Sequence, residues 1–126
     1  MIVGIGIDIV EISRLRRAID RQGDRFIRRV YTETEQEYCL KHRDPAPYFA
    51  VRFAAKEALF KALGTGWAFG VSWVDAEVHR NDQGAPRLAL SGRAAVLAAE
   101  LGAVAVHVSL SHSETAAIAI VILESP

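Results

Sequence analysis

RFAAKEALFKALGTG, residues 52 to 66, is the stretch on which the architecture turns. It is built from strong helix formers, contains no proline, and ends on Gly64, a residue suited to the left-handed conformation just past a helix end. Pro45 and Pro47 mark a turn before it, so the spacing predicts a long helix from about Phe49 to Leu63 with Gly64 as its cap. Ala54, Ala55, Ala58 and Ala62 make this helix thin, which favours close packing against a sheet. Phe53, Glu57 and Lys61 lie four apart on one face, and Arg52, Lys56 and Phe60 form the neighbouring row. Glu57 and Lys61 read in two ways. They form an ordinary surface pair worth roughly 0.2–0.5 kcal/mol, or they serve a metal–phosphate site beside the Gly-Thr-Gly loop. In the second reading Mg²⁺ takes carboxylate and phosphate oxygens while Lys61 supplies a point charge. No GxxxxGK[ST] pattern is present, which argues against a P-loop enzyme.

The sheet partner is expected at the start of the chain, where Met1 to Val10 reads as a strand. Side chains alternate along it, so Val3, Ile5, Ile7 and Ile9 form an apolar face and Gly4, Gly6 and Asp8 form the other. Two glycines beside a carboxylate leave room for another chain or a ligand to approach closely. A carboxylate in so apolar a strand costs several kcal/mol unless it is paired or bound to a cation. Asp8 therefore faces water, pairs with an arginine, or holds a metal.

The rest alternates helices with short strands. Ser13 to about Val30 is helical with a break near Gly23. Thr32 and Glu35 form a capping-box pattern opening a helix to about His42. Gly64 to Gly70 is a loop. Trp73–His79 and Pro86–Leu90 read as a hairpin, Ser91–Leu101 as a helix, and Ala105–Ser111 with Thr115–Leu123 as a second hairpin. This order predicts an α+β fold, a mostly antiparallel sheet packed on a long central helix, and one domain over residues 1–126.

Composition excludes several classes. Fifteen basic and fifteen acidic side chains cancel, and 51% of residues are hydrophobic, which argues against disorder and against a wholly nucleic-acid-binding surface. The single Cys39 excludes a disulfide framework and multi-cysteine metal sites. MIVGIGIDIV has no basic stretch ahead of it and carries Asp8, unlike a signal peptide, and the longest apolar run is about half the roughly 20 residues a membrane helix needs. A cytoplasmic protein is expected. The charge is nonetheless uneven: seven arginines against two acids give Arg14–Arg29 a net charge of +5. Arg14, Arg17, Arg21, Arg25 and Arg28 recur at helical spacing, as a solvated face or a stripe for an acidic partner. Phe26 alone interrupts the stretch as an aromatic, whereas stacking nucleic-acid bases calls for several.

In HVSLSHS, His107, Ser109 and Ser111 would share one strand face with His112 at the turn. No GxSxG elbow surrounds either serine, so a serine hydrolase is not supported.

Together, GIGIDIVEI, RFAAKEALFKALGTG and VSLSHSETAAIAIV resemble the three motif blocks of the holo-acyl-carrier-protein synthases, the short form of the 4′-phosphopantetheinyl transferases. The resemblance implies transfer of phosphopantetheine from coenzyme A to a serine of apo acyl carrier protein, leaving adenosine 3′,5′-bisphosphate. It implies Asp8 and Glu57 as Mg²⁺ ligands (Mn²⁺ is also accepted), with Lys61 and Arg52 toward the coenzyme A phosphates. Gly64, Thr65 and Gly66 would line the nucleotide, with Ser109, Ser111 and His112 on its other side. Glu57 is the candidate base for the serine proton. Carrier contact falls to Arg14, with Arg21, Arg25 and Arg28 as companions. TAAIAIVIL is apolar at both parities, so both strand faces need cover; the resemblance implies a homotrimer with sites shared between subunits. The same acids would also suit a metal-dependent phosphohydrolase of small nucleotides, and the arginines a non-catalytic module binding an acidic helix. Roles for His42, His79 and Cys39 are not legible.

Overall fold

The computed structural model describes residues 1–66 and 68–126; of the expected Gly64–Gly70 loop, Trp67 lies outside the described residues. Strand β1 (Ile2–Glu11) leads into helices α1 (Ile12–Gln22), α2 (Asp24–Val30), α3 (Glu33–Leu40) and the long α4 (Ala46–Ala62). A 3₁₀ turn at Trp73–Asp75, hairpin β2 (Ala76–Arg80) and β3 (Pro86–Leu90), helix α5 (Gly92–Glu100) and hairpin β4 (Ala105–His112) and β5 (Ala116–Glu124) follow. The strands form an antiparallel sheet in the order β1-β5-β4 and a separate two-stranded β2-β3 sheet. This is the expected α+β arrangement.

Local details depart from expectation in two places. Helix α4 begins earlier, with Pro45 at its N-cap and Pro47 inside its first turn, where a missing N–H costs nothing because those donors have no helical partner. Trp73–Asp75 is a 3₁₀ turn rather than strand, so β2 starts at Ala76. The break at Gly23 is a residue at φ 60 between α1 and α2, and the Thr32–Glu35 capping box closes in both directions.

Helix α4 lies across the inner face of the larger sheet. Ala117, Ala119, Val121 and Leu123 of β5 are fully buried beneath it, as are Ala54, Ala55 and Ala58 on the helix. Gly4 and Gly6 sit under the Ala62 and Ala58 carbonyls, so close that a Cβ at either would strike the helix backbone. Glycines opposite alanines are what allow this approach. The two contacts also show that β1 and α4 run in opposite directions, two strand residues matching one helical turn.

Among the described residues nothing covers the outer face of the same sheet. Ile5, Ile7, Ile9 and Ile118 are 39–65% exposed, and Ile7 pairs with Ile120, Ile5 with Ile122 and Ile9 with Ile118. The expectation that both faces of the last strand require covering is met on one face by α4.

Candidate functional site

The β1–α4 register carries Asp8 to the side of α4. Its carboxylate is mostly buried, 13% exposed, and accepts a hydrogen bond from Lys61 Nζ at 3.0 Å; the same ammonium donates to the Ile7 carbonyl at 3.0 Å. Lys61, read from sequence as a possible partner of Glu57, meets Asp8, a contact across the strand that local helix spacing cannot reveal. Asp8 and Glu57 line one groove of about 300 Å³ between β1, α1, α2 and α4. Arg14, Glu11, Phe26 and Phe53 complete much of its wall. Among the described residues no group of three or more His, Cys, Asp or Glu is placed to hold a metal; the carboxylates that line the groove are those of Asp8, Glu11 and Glu57.

At the end of α4, Gly64 (φ 78) and Gly66 (φ 53) take left-handed conformations, and the Thr65 and Gly66 amides fold back onto the Phe60 carbonyl at 3.1 and 3.2 Å. A Cβ on Gly64 or Gly66 would meet open space, so these glycines serve backbone conformation rather than close packing. Their loop follows Lys61 by one turn.

Arg52, Ser111 and His112 line a second pocket of about 160 Å³, together with Tyr48, Arg80 and Pro86. Arg52 is 2% exposed. Its guanidinium lies 4.3 Å from the Tyr38 ring centre and donates to the Tyr48 carbonyl at 3.3 Å, while its Nε is buried without a hydrogen-bond partner among the described residues. Arg80 lies 5.2 Å from the same Tyr38 ring. A buried cation with an unmet donor and no carboxylate in the pocket lining suits an anionic ligand. Arg80, Tyr38 and Tyr48 escaped the sequence reading; only the fold gathers them around Arg52.

Ser109 and Ser111 pair with Ile120 and Ile118, on the outer face of the sheet, whereas Asp8 is on the inner face. Within one chain the expected site residues therefore divide into an Asp8–Glu57–Lys61 group and an Arg52–Ser111–His112 group, and neither described pocket holds both.

Arg14, Arg17, Arg21, Arg25 and Arg28 are exposed along α1 and α2, whose opposite side buries Ile12, Leu15, Ile27 and Val30. Arg16 is engaged elsewhere, in a two-pronged pair with Asp44 at 2.8 and 3.0 Å that holds the Asp44 carboxyl below the usual carboxylate range. Of the residues without a legible role, His42 stacks on Tyr48 at 3.5 Å, His79 lies on β2, and Cys39 is buried with its thiol pushed up to about 12 by desolvation, which makes it unreactive.

The chain also resembles known proteins. The model of the 4′-phosphopantetheinyl transferase superfamily matches residues 4–121. The chain is 50% identical to a holo-[acyl-carrier-protein] synthase of Koribacter versatilis over 98% of this chain and 99% of that protein. It is 49% identical to one of Trichlorobacter lovleyi over the full length of both. Among solved structures it resembles a holo-(acyl-carrier-protein) synthase of Bacillus anthracis in complex with CoA (3′,5′-ADP), with TM-score 0.83, 41% identity and coverage of 100% and 99%. A Neisseria meningitidis synthase superposes with TM-score 0.89 at 36% identity, covering 99% of this chain and 100% of that one. A Helicobacter pylori synthase in complex with coenzyme A does so with TM-score 0.83 at 31% identity, covering 95% and 99%.

Proposed function

The chain belongs to the 4′-phosphopantetheinyl transferase superfamily, and from that premise we propose that the groove between β1 and α4 is its catalytic centre. The activity is that of a holo-[acyl-carrier-protein] synthase: phosphopantetheine passes from coenzyme A to a serine of apo acyl carrier protein, and adenosine 3′,5′-bisphosphate is left. The observation that carries the site reading is that Asp8 and Glu57, from elements far apart in sequence, face one groove with Lys61 held on Asp8.

Two oxygen donors unaccompanied by nitrogen or sulfur suit Mg²⁺, which binds through one or two carboxylates plus substrate phosphates; Mn²⁺ accepts the same ligands. Asp8 and Glu57 would hold it, and when bound it would neutralise charge developing on the diphosphate. Lys61 is half exposed, so its flexible stem lets the ammonium turn from Asp8 toward a phosphate oxygen. Glu57 is the base that accepts the proton from the carrier serine. Arg52, Ser111 and His112 bind the nucleotide end of coenzyme A, with the Gly64-Thr65-Gly66 turn bordering it. Arg14 at the groove rim meets the acidic carrier, with Arg21, Arg25 and Arg28 extending the contact.

Mass spectrometry of apo acyl carrier protein incubated with the enzyme, coenzyme A and Mg²⁺ tests the reading. A phosphopantetheine adduct that vanishes with chelator is expected; hydrolysis of coenzyme A without carrier would favour the phosphohydrolase. Arg14→Glu is expected to raise the KM for carrier about tenfold, most strongly at low salt, and to leave that for coenzyme A nearly unchanged, because charge steering acts on the protein partner. An equal loss for both substrates would contradict this role.

The uncovered isoleucine face supports assembly. Contiguous apolar patches of this kind mark subunit interfaces, and Ser109 and Ser111 lie on this one. A homotrimer packed through it would let the Asp8–Glu57 groove of one chain meet the Arg52–Ser111–His112 pocket of its neighbour. Sedimentation velocity should show a trimer, and a single monomeric species would overturn it. No helix among the described residues is long and apolar enough to cross a membrane, and a cytoplasmic setting fits the use of coenzyme A. Residues 1–126 act as one transferase domain.

A further inference from the structure

The most deeply buried charges in the molecule lie beside the site rather than in it. Lys56 and Glu35 are both completely buried and pair at 2.8 Å. Lys56 Nζ also donates to the Trp73 carbonyl at 3.1 Å and to the Ala76 carbonyl, so three acceptors surround it. The Glu35 carboxylate accepts from the Thr32 and Val78 amides, each at 2.9 Å. The pair thus ties the start of α3, the 3₁₀ turn and strand β2 to one residue of α4. Desolvation pulls the Lys56 ammonium below the ordinary lysine range, and Glu35 opposes that pull.

Stability alone does not explain this arrangement, since apolar residues of similar volume often replace a buried ion pair without loss. An ion pair supplies direction, because the ammonium and carboxylate are satisfied in one relative placement. Direction matters here because the sheet-facing side of α4 is built on Ala54, Ala55, Ala58 and Ala62, apolar side chains that offer no polar contact to fix the rotation of the helix, packed on Gly4, Gly6 and the buried Ala117, Ala119, Val121 and Leu123. Glu57 follows Lys56 in sequence and points about 100° further round the helix, into the groove it shares with Asp8.

We propose that Glu35 and Lys56 are positioning residues for phosphopantetheine transfer: their buried pair holds α4 in the rotation that sets Glu57 opposite Asp8. The inference rests on the assignment of Asp8 and Glu57 to the catalytic centre.

Its test is the neutral double variant Glu35→Gln/Lys56→Met, measured beside Glu57→Gln. The double variant is expected to keep a cooperative thermal transition near that of the parent. Its kcat should fall about tenfold or more while the KM for coenzyme A stays within about twofold, as for a misplaced catalytic group. Mn²⁺ affinity of the protein, read from free Mn²⁺ by electron paramagnetic resonance, should weaken several-fold without any turnover. A folded double variant with parental kcat and Mn²⁺ affinity overturns the positioning role, provided Glu57→Gln is inactive. If Glu57→Gln retains full activity, the assignment of the site itself fails. Should the double variant not fold, Glu35→Asp keeps the charge and withdraws the carboxylate by one methylene. Lowered kcat with unchanged KM in folded Glu35→Asp supports the inference, and parental kcat overturns it.

Discussion

Glu57→Gln is expected to lower kcat for carrier modification by about 10²–10³-fold, with a much smaller change in KM for coenzyme A. The exchange is isosteric at a half-buried position, so folding should survive it. What it removes is one of the two groove carboxylates assigned above to Mg²⁺, together with the group assigned as base for the serine proton. Asp8→Asn should be comparably damaging by a partly different route. It removes the other donor and also releases Lys61, whose ammonium now rests on Asp8 and the Ile7 carbonyl. Both variants should need more Mg²⁺ for half-maximal activity. Initial rates against Mg²⁺ concentration check this, and near-parental rates in both variants would remove the groove from the chemistry.

Gly6→Ala should be the most destabilising small substitution in the chain. A Cβ at Gly6 would overlap the Ala58 carbonyl oxygen and crowd the Ala62 amide, and both are helix backbone that no side-chain rotation can move aside. Helix α4 would have to lift from the sheet, uncovering the fully buried Ala119 and Val121. The cost should meet or exceed the about 1–3 kcal/mol of ordinary overpacking, a fall in Tm on the order of 10 °C at the upper end for a domain of this size. Gly4→Ala should cost less, since part of its obstruction is the Leu123 side chain, which can adjust. Urea midpoints at unchanged m-value would give the ranking. Parental stability in Gly6→Ala would mean that β1 does not pack on α4 as described.

Both predictions depend on a feature half visible in sequence. Alanines spaced along α4 and glycines alternating along β1 each announce a close approach, yet neither stretch names its partner. The reading that Gly4 and Gly6 leave room for another chain or a ligand was right about the space, and the occupant is helix backbone. Lys56 shows the opposite case. In sequence it is one cation in a row with Arg52 and Phe60, and nothing local distinguishes it from a solvated lysine. Its partner Glu35 looks fully accounted for by the capping box, which it does form, while its carboxylate also reaches the ammonium and the Val78 amide.

The helices, hairpins, caps and apolar faces follow from the amino-acid order because backbone propensity, side-chain alternation and capping act over a few residues. The division of the site residues into two groups, the engagement of Lys61 by Asp8 across 53 positions of chain, and the closure of the Lys56 network required the packed structure. Such contacts depend on how elements slide and rotate against one another, and that is settled by steric fit and burial summed over the whole core rather than by any short run of residues.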